Sequence, residues 1–173
     1  MLKTFAGITL LLAVAPATRG GAAYAQAPEQ AERGRKVFAE RKCATCHAFE
    51  GQGTPVGPDL KNIASLSPRA IAIAVRATRT QNVISVKLKT GETFSAMRTT
   101  PDEKNLEVYD LSKDPPVLRK LEAAEVDSTK DNESWKHPPA SAEMPDEELA
   151  DVIAYIRWIA VKDKKGVDPA DVR

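Results

Sequence analysis

Cys43-Ala44-Thr45-Cys46-His47 is the stretch of this chain whose residue types and spacing do chemistry. Two thiols separated by two residues, with a histidine directly after the second, form the C-x-x-C-H pattern of covalent haem attachment. Each thiol adds to a haem vinyl group as a thioether, and the histidine is placed to bind the iron from one face. The same dithiol spacing also serves thioredoxin-like exchange or half of a zinc site. The first needs a strand–helix–strand setting and the second needs another ligand pair. Cys43 and Cys46 are the only cysteines in the chain, and neither setting is present. The expected cofactor is one haem c, bound through Cys43 and Cys46, with His47 as an axial ligand.

Covalent haem attachment takes place outside the cytoplasm, so the site calls for an export signal. Met1-Leu2-Lys3 forms a short positive start, Phe5 to Val14 an apolar run, and Ala25-Gln26-Ala27 an A-x-A cleavage site, with Ala23-Tyr24-Ala25 as a second possibility. The run is too short to cross a hydrocarbon core of ~30 Å as a helix. Residues 1–27 are therefore expected to be a signal peptide and the mature protein periplasmic or otherwise exported, with no transmembrane span. Loss of residues 1–27 removes two of the 25 basic residues and none of the 24 acids, leaving a mature charge near −1. A balance so close to neutral supplies no field for nucleic acid. Aromatics are only 5% of the chain, a small supply for a core, and a haem adds apolar surface to pack around.

The elements that must hold the site follow from periodicity. Residues 28–41 read as a helix, with Pro28 at its start, Glu29 at the positive end of the dipole, and Ala31, Gly34, Val37 and Phe38 on one face. Gly34 costs a helix interior about 1 kcal/mol relative to alanine, which invites a packing reason. Ser67-Pro68 opens a second helix over 67–78. A third covers 145–161, with acids in its first turn and an apolar stripe of Leu149, Val152, Ile153, Ile156 and Ala160. The charged residues after Lys162 read as a frayed tail.

The segment Ala31-Glu32-Arg33-Gly34-Arg35-Lys36-Val37-Phe38, followed by Cys43 to His47, resembles the N-terminal helix and haem site of class I cytochromes c. The resemblance implies a mostly α cytochrome c fold around one covalent haem. Gly34 and Phe38 would cross the last helix at Val152 and Tyr155. It also implies that the Gly57-Pro58-Asp59-Leu60 loop wraps the proximal side and that the Pro58 carbonyl accepts a hydrogen bond from His47. Between the second and third helices, about 81–130, the pattern changes to short strands: Val83 to Leu88, Phe94 to Arg98, Leu106 to Leu111, Val117 to Leu121 and Glu125 to Asp127. Turn residues at Thr90-Gly91, Asp102 to Asn105 and Asp114-Pro115-Pro116 punctuate them. This stretch is expected to be a small antiparallel barrel or meander inserted into the helical fold. It resembles a variant module with an SH3-like barrel that accompanies quinoprotein dehydrogenases.

The second axial ligand has three candidates, Met97, Met144 and His137. Met97 falls in a predicted strand. Met144-Pro145 is the dipeptide that family members use, but it lies only eleven residues before Tyr155, whereas His137 lies eighteen before it. The longer interval is the family's. His137-Pro138-Pro139 then takes the place of Met-Pro-Pro, and Met144 sits where it faces its own helix. His137 is the favoured ligand, Met144 the alternative.

The function expected is one-electron transfer between redox proteins, not an enzymatic reaction. The resemblance implies a quinoprotein-type dehydrogenase as donor and an oxidase or another cytochrome as acceptor. The rival is a haem-based sensor or binder of NO or CO, should the sixth position stay open.

Overall fold

The computed structural model describes residues 28–76, 82–99 and 105–173. The expected signal peptide, the end of the second helix beyond Arg76 and most of the Asp102 to Asn105 turn lie outside the described residues. Helix α1 (Glu29–Glu40) carries Glu29 and Glu32 in its first turn and buries Ala31, Gly34 and Phe38. The short α2 (Leu60–Ile63) is capped by Asp59, whose carboxylate accepts from the Lys61 amide at 2.9 Å. Ser67 caps α3 (Pro68–Arg76) by accepting from the Ala70 amide at 3.2 Å. One turn of helix, α4 (Pro139–Ala142), precedes α5 (Asp146–Val161).

Helices α1 and α5 cross where Gly34 lies. A Cβ on Gly34 would collide with the Asp151 carbonyl of α5 and approach the Tyr155 Cβ to 2.9 Å. Phe38 packs edge-on against Tyr155, ring centres 5.6 Å apart. Arg33 clamps the crossing from outside with two hydrogen bonds to Asp151, at 2.8 and 3.1 Å. Helix α5 is buried on more of its circumference than a single stripe would be. Helix α1 covers one side of it, and residues of another side line the cavity described below.

The region between α3 and α5 corrects the expectation of a mostly α protein with a small β insertion. Of the described residues 38% are helical and 24% are strand, so the sheet is a substantial part of the fold. Its strands are β1 (Val83–Leu88), β2 (Thr93–Arg98), β3 (Asn105–Asp110), β4 (Val117–Glu122) and β5 (Val126–Asp131). All pairings are antiparallel, in the order β4-β3-β2-β1-β5. The first four strands form a meander, and β5 returns across the sheet to pair with β1. Both faces are apolar. Ile84, Val86, Phe94, Ala96 and Val108 fill the sheet's own core, while Val83 and Met97, on the opposite parity, face the helical part. Asp110 is buried within the sheet. Burial opposes its ionisation, but hydrogen bonds from the Ser112 hydroxyl and amide and from Arg119 outweigh that and hold its pKa below the usual carboxylate range.

The segment after Lys162 is not frayed as expected. Val167 and Val172 are buried, and Gln30 of α1 makes reciprocal 2.8 Å hydrogen bonds with the backbone of Val167. Arg76 donates to the Val172 carbonyl at 2.7 Å and to Asp146 at 2.7 Å, tying the end of α3 to the start of α5 and to the C-terminus. Two buried valines and these hydrogen bonds together hold the charged segment against the helices. Among the described residues no helix is long and apolar enough to cross a membrane.

Candidate haem site

Lys42 takes a left-handed backbone conformation that ends α1 and turns the chain into a tight 3-10 turn over Cys43–Thr45. The His47 amide bonds back to the Cys43 carbonyl at 3.0 Å, which places both sulfurs and the imidazole on one side of a compact loop. The thiols are not joined to each other. Burial pushes the Cys43 thiol up to about 11 and raises Cys46 as well, because both sulfurs sit in an apolar wall.

His47 Nδ1 donates to the Pro58 carbonyl at 2.8 Å, which fixes the ring plane and leaves its other nitrogen bare. Gly57 lies flat against that ring, its amide bonded to the Cys46 carbonyl at 2.6 Å. A Cβ there would stand 2.6 Å from His47 Cε1 and 2.9 Å from Nδ1. Gly57→Ala is therefore expected to turn the imidazole away from Pro58 and weaken its tie to the loop, with a stability loss of about 1–3 kcal/mol from overpacking. Thermal unfolding of the holoprotein followed in the Soret band measures it.

Opposite His47 stands His137, on the loop between β5 and α4. The ring centres are 6.0 Å apart and the planes 67° to each other. Two imidazoles flanking one metal ion, with nitrogen–metal bonds of about 2.0 Å and about 1.1 Å from nitrogen to ring centre, have centres about 6 Å apart. His137 Nδ1 is buried and has no hydrogen-bond partner, an orphaned lone pair in a wall of otherwise apolar character. Burial lowers the pKa of both imidazoles, against the pull of Pro58 at His47 and of the Val75 carbonyl at His137. Each is thus favoured in the neutral form that binds metals.

The two histidines and the two cysteines line one cavity of about 460 Å³. Its floor is Leu149, Val152, Ile153 and Ile156 of α5, and Ile71 and Val75 of α3 close another side. Size and apolar lining are those of a cofactor site. The donors fit haem c: two thiols at its vinyl spacing, one oriented imidazole and a second bare one across from it. Bound there, haem c supplies reversible one-electron iron chemistry. Cys43 and Cys46 would tether it, and His47 would hold the iron from the proximal side.

Cys43, Cys46, His47 and His137 line this cavity, and Pro58 lies on its proximal loop. Met144 also reaches it: the side chain is buried against α5 and lines the wall, while its carbonyl accepts from Arg76 at 3.3 Å. Met97 does not line it but lies in the contact between sheet and helices. Three contributions escaped the sequence reading. Gly57 under His47 was seen only as part of a turn. Residues 111–116, between β3 and β4, supply Leu111, Lys113, Asp114 and Pro116 to the cavity wall. Trp135 stands edge-on to His137, ring centres 6.2 Å apart. An aromatic two residues before a candidate ligand was the one available signal for it.

Residues 31–113 match the family model described as Cytochrome c. The match runs from α1 through the C-x-x-C-H turn and past β3. That segment is thus similar to cytochrome c domains, and the cofactor is covalently bound haem c. Proteins with this domain work in electron transfer with redox protein partners. A search of curated proteins finds no match for the chain.

Proposed function

We propose that this protein is an exported, periplasmic cytochrome with one haem, carrying single electrons between redox proteins, its iron held between His47 and His137. The observation that carries this reading is the pair of imidazoles 6.0 Å apart across a cavity that the two cysteines also line. Residues 1–27 support export, since they have the charge, apolar run and A-x-A site of a signal peptide. The lining of α5 and α3 side chains is largely apolar, which supports a carrier whose chemistry is the haem's. The sheet supports a quinoprotein-type dehydrogenase as electron donor, with an oxidase or a second cytochrome as acceptor, through its resemblance to the module that accompanies those enzymes.

Optical spectroscopy with a redox titration tests the ligand set. The oxidised protein is expected to be low-spin and to lack the weak far-red band of an iron–methionine bond, and its potential should lie below that of His/Met cytochromes. A far-red band would falsify the His137 assignment and move the sixth position to Met144.

A further inference from the structure

A cluster of side chains fills the space between the sheet and the cavity. Val83 of β1 and Met97 of β2 are its buried centre, together with Val56 from the loop that carries Gly57 and Pro58. Tyr109 and Leu111 pack on from β3, Cys46 from the haem turn, and Trp135 from the loop that carries His137. The second face of the sheet thus touches both loops that bring histidines to the cavity.

The distal loop is pinned to the sheet at its origin. The Asn132 amide donates to the Val83 carbonyl at 2.9 Å, and its side-chain amide donates to the Ser95 hydroxyl at 2.9 Å. The Ser134 hydroxyl donates to Asn132 Oδ1 at 2.8 Å, and the Trp135 amide donates to the Asn132 carbonyl at 3.3 Å. Trp135 is then followed within two residues by His137, and its ring meets the imidazole with planes at 75°. The Val75 carbonyl ties one side of the His137 ring, while its Nδ1 has no partner, so the face toward Trp135 is the other restraint on its plane. An imidazole free to turn about a bond to a metal would sample several ring planes. An edge-to-face aromatic neighbour favours one.

We propose that Trp135 is a positioning residue for His137, and that the sheet, through Asn132 and Trp135, sets the plane of the distal imidazole and its grip on the site. This rests on the reading of His137 as the sixth ligand. It assigns the sheet a role inside the haem site.

The test compares ferric EPR spectra and the rate of CO association to the reduced holoprotein in the wild type, Trp135→Leu, Trp135→Phe and His137→Ala. Trp135→Leu is expected to shift the low-spin g values and to speed CO association about tenfold, the factor matching the upper range for an edge-to-face pair. Trp135→Phe keeps an aromatic edge at the same place, so its g values and rate should stay within about twofold of wild type. A Trp135→Leu protein with wild-type g values and CO rate overturns the inference, and so does a Trp135→Phe protein as perturbed as the leucine variant. If Trp135→Leu fails to assemble, Asn132→Ala carries the same prediction in the same direction, and unchanged g values there overturn it. His137→Ala separates the two levels. If that variant keeps the wild-type low-spin spectrum, the ligand assignment itself falls. If it opens the site while Trp135→Leu is silent, the ligand assignment stands and the positioning role falls.

Discussion

His137→Ala is expected to convert the protein from a closed, low-spin cytochrome into an open one. On the proposed ligation, the distal imidazole of His137 is delivered by a loop fixed at both ends, by Asn132 on the sheet and by α4, so it is present at a high effective concentration. An external ligand must compete with that ring before it can bind, and removing the ring should speed CO association by about a hundredfold or more. The ferric spectrum should become high-spin, and added imidazole should restore the low-spin form. Met144 is the internal competitor. It lines the same cavity, but its side chain is packed in the core beside α5 and its carbonyl is held by Arg76. Reaching the iron would require the start of α5 to move against the Arg76–Asp146 ion pair of 2.7 Å. The alanine variant should therefore stay open; a low-spin spectrum with a far-red band would show that α5 yields and that Met144 takes over.

Gly34→Ala should lower stability by about 2 kcal/mol while leaving the haem attached. Two effects oppose each other. Alanine gains about 1 kcal/mol in helix propensity over glycine. Against that, the new methyl would run into the Asp151 carbonyl. Backbone in the middle of a buried helix cannot swing aside as a side-chain end would, so the overpacking penalty belongs near about 3 kcal/mol, the upper end of its usual range. To relieve it, α1 and α5 must separate, which also strains the Arg33–Asp151 clamp and the Phe38–Tyr155 contact. Denaturant unfolding of the holoprotein gives the number directly. A stability equal to or above wild type would mean that the crossing tolerates the methyl by sliding, and that Gly34 is there for another reason.

Both predictions draw on features that were legible to different degrees. The haem turn could be read locally, because its residues lie within a few positions of one another, whereas the roles of Gly34 and Pro58 followed from the resemblance to class I cytochromes c. The helices over Glu29–Glu40, Pro68–Arg76 and Asp146–Val161 lie close to their expected spans, since apolar spacing and caps mark them. The strands could be located too, but not their arrangement. Val83-Ile84, Ala96-Met97 and Val108-Tyr109 each place apolar residues on both parities, so alternation reveals two covered faces without saying what covers them. That β5 crosses back to β1, and that the second face turns toward the haem cavity, depends on pairings between distant residues. The size of the sheet was underestimated for the same reason.

The chemistry of the protein was carried by its local sequence. Two thiols and a histidine within five residues can serve one haem, and their spacing needs no distant partner to be recognised. The proposed pairing of His47 with His137 is of another kind. Ninety residues separate them, and helices and a five-stranded sheet intervene. Counting back from Tyr155 favoured His137 over Met144, yet both line the finished cavity. The fold distinguishes them by their surroundings: it leaves His137 Nδ1 bare and 6.0 Å separates its ring from that of His47, while Met144 is committed to the packing of α5. A ligand's identity is a matter of residue type. Its availability depends on what every neighbouring element leaves uncovered, and that is settled only once those elements have packed.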